Sequence, residues 1–97
     1  MFDFSNKVVL ITGASYGFGE QFAYAFAEAG ASLILTARSE DALTQVGKAC
    51  ELKGASVCVV AGDVSNEADV NAVIQAGLQQ LGKIDVLINN AGIADPR

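Results

Sequence analysis

Four short apolar runs, separated by longer amphipathic stretches, constrain the fold of this chain more than any other feature. The runs are residues 8–11, 33–35, 57–60 and 86–88, and they are rich in branched side chains. Each is too short for a helix, and none alternates polar with apolar residues. This pattern predicts strands that are buried on both faces, as in a parallel sheet.

The stretches between these runs have the periodicity of helices. Apolar side chains recur there every three to four residues, and a glycine follows each stretch. Ser39 is a good N-cap for the second helix, and Ser65 or Asn66 for the third. The predicted helices are residues 17–29, 40–53 and 67–81. The order is therefore βαβαβαβ, which predicts an α/β fold with right-handed crossovers.

The composition is typical of a globular protein outside the membrane. A hydrophobic fraction of 52% with 18% charged residues indicates one packed globular domain. No apolar run approaches the ~20 residues that cross a bilayer, and residues 1–7 lack the pattern of a signal peptide. We therefore expect a cytoplasmic protein with no membrane partner.

Other residue types argue against two further classes of function. The net charge is −5 and the six basic residues are scattered, which disfavours nucleic-acid binding. The chain has no histidine, and its two cysteines, Cys50 and Cys58, are far apart. We therefore expect neither a disulfide scaffold nor a metal site.

The first apolar run leads directly into a glycine-rich turn, Gly13-x-x-x-Gly17-x-Gly19, in which the first helix begins. Gly13 allows a tight exit from the strand, Gly17 lets the backbone approach a pyrophosphate, and Gly19 lets the helix pack against the sheet. The free N–H groups of the helix would then face the phosphates. A turn that merely requires glycine is the alternative, but the strand and helix on either side favour dinucleotide binding.

Two further motifs follow later strands: Asp63-Val64 after the third and Asn89-Asn90-Ala91-Gly92 after the fourth. Together with Thr12-Gly13-x-x-x-Gly17-x-Gly19 they resemble the short-chain dehydrogenase/reductase family over nearly all of the chain. The resemblance implies a Rossmann-type three-layer fold with four parallel strands in the order 3-2-1-4. It also implies that residues 1–97 are the N-terminal part of a single NAD(P)-binding domain, truncated after the fourth strand.

The resemblance implies a cofactor-binding role for each motif. The pyrophosphate and the adenosine ribose would be wrapped by Gly13, Ala14, Ser15, Tyr16, Gly17, Phe18 and Gly19. Asp63 would accept a hydrogen bond from the adenine amino group while Val64 packs on the ring, although Asp63 has a turn or helix-cap role as its alternative. Asn89 would brace neighbouring strands. The cofactor cleft would be lined by Asn90, Ala91 and Gly92.

The end of the second strand distinguishes NAD from NADP. An acidic residue there binds the ribose 2′-hydroxyl and repels a 2′-phosphate. This chain instead has Ala37-Arg38-Ser39, in which Arg38 offers a permanently charged phosphate partner and Ser39 a hydroxyl. A solvated surface arginine is the alternative. We predict NADP(H) over NAD(H).

Two residues of the glycine-rich turn depart from the family pattern. In place of Tyr16 the family commonly has a small or basic residue, and a basic one makes a second contact with the 2′-phosphate. Tyr16 lacks that charge, although its ring or hydroxyl can still lie against the adenosine. Phe18 is bulkier than the usual aliphatic residue, and we predict that it extends a core stripe with Phe22 and Phe26.

The catalytic residues that the resemblance implies are not found in this chain. Family members pass a hydride between nicotinamide and a carbonyl or alcohol substrate, using a serine, a tyrosine and a lysine four residues after that tyrosine. Here Tyr16 and Tyr24 are each followed four residues later by a glutamate. We therefore assign no catalytic residue and predict that the chain by itself is inactive.

Three hypotheses remain open. The first is the NADP(H)-binding segment of a short-chain oxidoreductase, which takes its small-molecule substrate, and any homo-oligomeric partner, only as the complete protein. The second is a non-catalytic nucleotide-binding half-domain, and the third is an interaction module. An apolar sheet face with a single helix and a bare fourth-strand edge would favour association.

Overall fold

The computed structural model describes residues 3–91, which form a four-stranded parallel sheet between two layers of helices. The strands are β1 (Val8–Thr12), β2 (Ser32–Ala37), β3 (Val57–Ala61) and β4 (Val86–Ile88). The helices are α1 (Gly17–Glu28), α2 (Glu40–Leu52) and α3 (Glu67–Leu81). The strand order is β3-β2-β1-β4, which confirms the predicted three-layer fold and its topology.

The central position of β1 determines where the site is built. β1 pairs in parallel with β2, so that Thr12 lies opposite Thr36, and with β4 on its other side. β2 pairs in turn with β3, with Ala37 opposite Ala61. The carboxyl ends of all four strands therefore meet at one edge of the sheet, where ligands of open α/β sheets bind.

The two faces of the sheet are covered to different extents. α1 and α2 close one face over a core that includes Val9, Ile11, Leu33, Leu35 and Leu43. On the other face α3 packs over β2 and β3, close enough that a Cβ on Gly77 would overlap the side chain of Ile34. Leu87 of β4 is 58% exposed. The second face therefore leaves β4 open, as expected where one helix covers four strands.

The ends of the helices follow local signals in the sequence. The Ser39 hydroxyl oxygen accepts a hydrogen bond from the Ala42 N–H (3.4 Å), and Asn66 Oδ1 accepts one from the Asp69 N–H (3.1 Å). Asn66, the second of the two predicted candidates, is therefore the N-cap of α3, and Gly82 ends this helix in the left-handed conformation (φ 85°). Within residues 3–91, no helix has the length and apolar character needed to span a membrane.

The aromatic residues of α1 do not form the predicted core stripe. Phe26 packs edge-on against Phe4, with ring centroids 5.0 Å apart, but Phe18 is 59% exposed and stacks on Phe22 at 6.5 Å. The prediction that Phe18 extends the core was therefore wrong. The buried residues of α1 are the small ones: Gly19, Ala23 and Ala27. They let the helix approach the sheet closely, and Phe18 and Phe22 are left on an exposed flank.

Candidate dinucleotide site

The glycine-rich turn leaves β1 with a backbone geometry that favours glycine. Gly13 and Gly17 have φ angles of 61° and 62°, in the left-handed region. Ala14 N–H donates to the Thr36 carbonyl (3.1 Å), which ties the turn to β2. A Cβ placed on Gly17 would meet nothing within 4 Å. The backbone at the start of α1 is therefore open to a ligand.

Only glycine fits at position 19, because the turn leaves no room there for a Cβ. A Cβ at this position would overlap the carbonyl oxygen of Gly13 and stand 2.7 Å from Nδ2 of Asn90. The same Asn90 amide nitrogen donates to the Gly13 carbonyl (3.1 Å), and Asn90 is buried. Gly19 was predicted to allow packing of the helix on the sheet, and its closest neighbours are the peptide that leaves β1 and the Asn90 amide.

Thr12 and Asn89 join the exits of β1 and β4. The Thr12 hydroxyl donates to Asn89 Oδ1 (3.1 Å) and accepts from the Ala91 N–H (3.0 Å). The first bond agrees with the bracing role predicted for Asn89. That Thr12 joins the two strand exits was not predicted from the sequence. In the sequence Thr12 is notable only as the residue before Gly13, and its position beside Asn89 appears only when β4 pairs with β1.

Thr36 lies opposite Thr12 in the pairing of β1 with β2, but its hydroxyl does not form the hydrogen bonds that the Thr12 hydroxyl forms. Its Oγ1 is buried and has no hydrogen-bond partner among the residues that the structure describes. Thr36 lines a cavity of about 350 Å³ between α3 and the sheet, together with Val70, Val73 and Leu87. Two threonines in one row of the sheet thus differ in whether their hydroxyls are satisfied.

Beside the turn lies a cleft of about 570 Å³, with walls that come from the exits of β2 and β3. It is lined by Gly13, Ser15, Tyr16, Ala37, Arg38, Ser39, Asp63, Val64, Ser65 and Ala91. The structure therefore brings residues of all the predicted motifs into one cleft. The remaining predicted site residues are buried at its base (Ala14, Gly19, Asn90), exposed at the start of α1 (Gly17, Phe18), or outside the described residues (Gly92).

Asn90 was predicted to line the cofactor cleft, but its side chain lies beneath the glycine-rich turn and is not part of the cleft lining. The amide is buried and holds the Gly13 carbonyl, while the neighbouring Ala91 lines the cleft. The reason is the room that Gly19 leaves for this amide. Asn90 thus shapes the turn from below.

The two carboxylate oxygens of Asp63 have different surroundings. Its Oδ1 accepts hydrogen bonds from the hydroxyl (2.7 Å) and the N–H (2.9 Å) of Ser65. These bonds hold the pKa of Asp63 below its ordinary value, and the nearby positive charge of Arg38 lowers the pKa further. Within residues 3–91, Oδ2 has no hydrogen-bond partner. Asp63 therefore serves the turn with one oxygen and retains a second, ionised acceptor.

Arg38 and Ser39 lie between the end of β2 and the start of α2, and both line the cleft. Arg38 is exposed and is the one cation among the described residues that line the cleft. Ser39 accepts a hydrogen bond from the Ala42 N–H as the α2 cap, so its own hydroxyl proton remains available to a ligand. No group of three or more His, Cys, Asp or Glu side chains in residues 3–91 is placed to hold a metal ion. The wall thus offers a positive charge and a hydroxyl donor.

Sequence comparison matches this chain to a known family. The family model described as short chain dehydrogenase matches residues 7–97. The 11-beta-hydroxysteroid dehydrogenase-like protein 4A of Arabidopsis thaliana is 46% identical over 94 residues, which cover 96% of this chain and 31% of the relative. The chain therefore spans about a third of the length of the curated relatives it matches.

Solved structures of similar fold carry two different cofactors. L-Sorbose reductase from Gluconobacter frateurii, in complex with NADPH and L-sorbose, has a TM-score of 0.91 and 37% identity; the match covers 99% of this chain and 37% of the reductase. A short chain dehydrogenase/reductase from Burkholderia phymatum, in complex with NAD, has a TM-score of 0.84 and 42% identity, covering 90% and 31% of the two chains.

Proposed function

The chain belongs to the short-chain dehydrogenase family, and on that premise we propose that it is the NADP(H)-binding segment of an oxidoreductase. The complete protein would transfer a hydride between nicotinamide and a small-molecule carbonyl or alcohol. The cofactor supplies the hydride chemistry, and this segment binds and orients it. The proposal rests chiefly on the meeting of the glycine-rich turn, Arg38 and Asp63 in one cleft.

The start of α1, which lies beside the cleft, fits a pyrophosphate. The first turn of α1 presents backbone N–H groups that have no partner within the helix, and the dipole of the helix favours an anion there. Gly17 leaves this backbone uncovered, since a Cβ at Gly17 would face open space. A cleft of about 570 Å³ also lies within the usual range of cofactor sites. These features support the binding of a dinucleotide.

The wall of the cleft supports NADP(H) as the form that is bound. The last residue of β2 is the neutral Ala37, so the position from which a carboxylate would repel a 2′-phosphate carries no charge. Arg38 follows it and matches a phosphate in charge and geometry. We propose that Arg38 and Ser39 bind the 2′-phosphate, that Asp63 accepts a hydrogen bond from the adenine amino group, and that Val64 packs on the ring.

We further propose that residues 1–97 are the N-terminal part of a single NAD(P)-binding domain and do not catalyse by themselves. No tyrosine of the chain is followed four residues later by lysine. The hydroxyl of Tyr24 donates to Glu20 Oε2 (2.6 Å), and this bond, together with partial burial and the negative charge of Glu20, raises the pKa of Tyr24 to about 12. Such a group is poorly suited to exchange a proton near neutral pH. Substrate binding and assembly into oligomers would belong to the complete protein.

Replacement of Arg38 by alanine in the full-length protein tests the choice of cofactor. We expect Arg38→Ala to raise the Kd for NADPH about 10- to 100-fold, because a charge-assisted phosphate contact is lost, and to change the Kd for NADH less than about twofold. Lys48→Ala is the control, since Lys48 is an exposed cation of α2 that does not line the cleft.

Two results would count against the proposal in different ways. Equal losses of NADPH and NADH affinity in Arg38→Ala would refute the 2′-phosphate contact and leave the dinucleotide site intact. A wild-type protein that binds neither cofactor in titration calorimetry would refute the dinucleotide site itself.

A further inference from the structure

Tyr16 is the one aromatic side chain among the described residues that line the cleft. It occupies the N-cap position of α1 with an extended backbone (φ −166°, ψ 174°), and its side chain makes no capping hydrogen bond. Cap positions usually hold a small polar residue that satisfies the first N–H groups of the helix. Here a large ring stands in that place, 38% exposed, and the helix gains no cap from it.

The lining of the cleft is amphipathic. Half of the lining residues are polar or charged, but Tyr16 and Val64 are large apolar groups that are each more than a third exposed. Adenine combines broad apolar faces with polar edges, whereas the adenosine ribose and the phosphates are polar throughout. The exposed apolar surface therefore matches the faces of a purine, and Asp63 matches its amino edge.

We propose that the ring of Tyr16 stacks on adenine and supplies affinity that does not depend on the 2′-phosphate. This inference rests on the dinucleotide site proposed above. Arg38 is the one cation of the described cleft lining, so recognition of the 2′-phosphate falls to Arg38 and Ser39. Tyr16 then determines how tightly the adenosine half binds, while Arg38 determines which of the two dinucleotides is preferred.

Adenine nucleotides without nicotinamide separate these two contributions. The Kd values of 5′-AMP and 2′,5′-ADP are measured by calorimetry on full-length wild type, Tyr16→Leu and Tyr16→Phe. Loss of a ring that stacks on a base weakens binding about tenfold, so Tyr16→Leu is expected to weaken both nucleotides to that extent. Tyr16→Phe retains the ring and should keep both Kd values within about twofold.

Phe22→Leu provides the matched control. Phe22 is as exposed as Tyr16 (38% each) and lies on α1, the helix that Tyr16 precedes, but it does not line the cleft. This variant should leave both Kd values unchanged. Equal thermal midpoints for Tyr16→Leu and Phe22→Leu would show that any difference in binding does not arise from unfolding.

Several outcomes would overturn the inference. If the loss were confined to 2′,5′-ADP and equally large in Tyr16→Phe, the hydroxyl and not the ring would be the binding group. Unchanged affinities in Tyr16→Leu would also refute stacking. A wild type that binds neither nucleotide would remove the site and this inference with it. One further outcome concerns the proposed function alone. Equal wild-type affinity for 5′-AMP and 2′,5′-ADP would refute the preference for NADP(H), and the effect of Tyr16→Leu on both nucleotides would still test stacking.

Discussion

The base and the wall of the cleft are built in different ways. The base comprises Thr12, Gly13, Gly19 and Asn90. Asn90 donates to the Gly13 carbonyl, Gly19 approaches that carbonyl too closely for a Cβ, and Thr12 bonds to Asn89 and Ala91 at the exit of β4. The wall comprises Tyr16, Arg38, Ser39, Asp63 and Val64, none of them buried. We therefore expect the base to hold the shape of the cleft, and under the proposed function the wall contacts the ligand. Changes in the base should cost stability, and changes in the wall should alter affinity with little effect on folding.

The largest effect is expected from Gly19→Ala. Its Cβ would overlap the Gly13 carbonyl oxygen, a backbone atom that cannot rotate away. We expect the free energy of unfolding of the full-length protein to fall by about 3 kcal/mol or more in denaturant titrations. Gly17→Ala is the control in the same turn: it has positive φ but open space, and should cost about 1–2 kcal/mol. Equal costs would mean that Gly19 is not held by this contact.

An intermediate effect is expected from Thr12→Val, which preserves shape and removes the hydroxyl. The Ala91 N–H and Asn89 Oδ1 would lose their partner, at a cost of about 1–3 kcal/mol in unfolding free energy. Thr36→Val is its counterpart on β2. Its hydroxyl is buried without a partner among the described residues, so its removal should be neutral or stabilising. Similar losses in both variants would contradict the distinction between the two threonines.

The smallest effect is expected in the wall, from Asp63→Asn, and it should be present near neutral pH and disappear at acid pH. Hydrogen bonds from Ser65 lower the pKa of Asp63 in the folded protein. The stabilisation by this carboxylate is therefore present above its unfolded pKa and is lost as the pH falls through the lower, folded pKa. Between about pH 5 and pH 3, wild type should lose stability more steeply than Asp63→Asn in urea titrations. Ser65→Ala should reduce the slope in part, and parallel profiles in all three proteins would refute this coupling.

Most of the fold follows from signals that are local in the sequence. The bounds of α3 were predicted correctly because a cap residue and a terminal glycine act within a few residues of each end. Phe18 was misplaced because α1 carries two candidate stripes, one aromatic and one of small residues. A helical period alone does not tell which stripe faces the sheet. The small side chains do so here, because they permit the closer approach of helix and sheet.

The wall of the cleft was easier to predict from the sequence than its base. Arg38, Asp63 and Val64 directly follow their strands, so the parallel sheet alone brings them to one edge. The base depends on contacts between residues distant in sequence. Nothing near Asn90 indicates that its amide is buried under the turn, and nothing near Gly19 shows that this amide is its neighbour. Such pairs become visible only when β4 is placed beside β1.

The distance along the chain between these pairs has a consequence for the order of folding. Val8 and Asp85, Thr12 and Asn89, and Gly13 and Asn90 are each joined across 77 residues. Closing so long a loop is entropically costly, and the contacts form only after the preceding strands and helices have shortened it. During synthesis, β1, β2 and β3 leave the ribosome before the residues that complete the glycine-rich turn. We therefore expect the turn to be the last part of the sheet edge to form, and the nucleotide of the proposed function would stabilise only chains in which the fourth strand has docked.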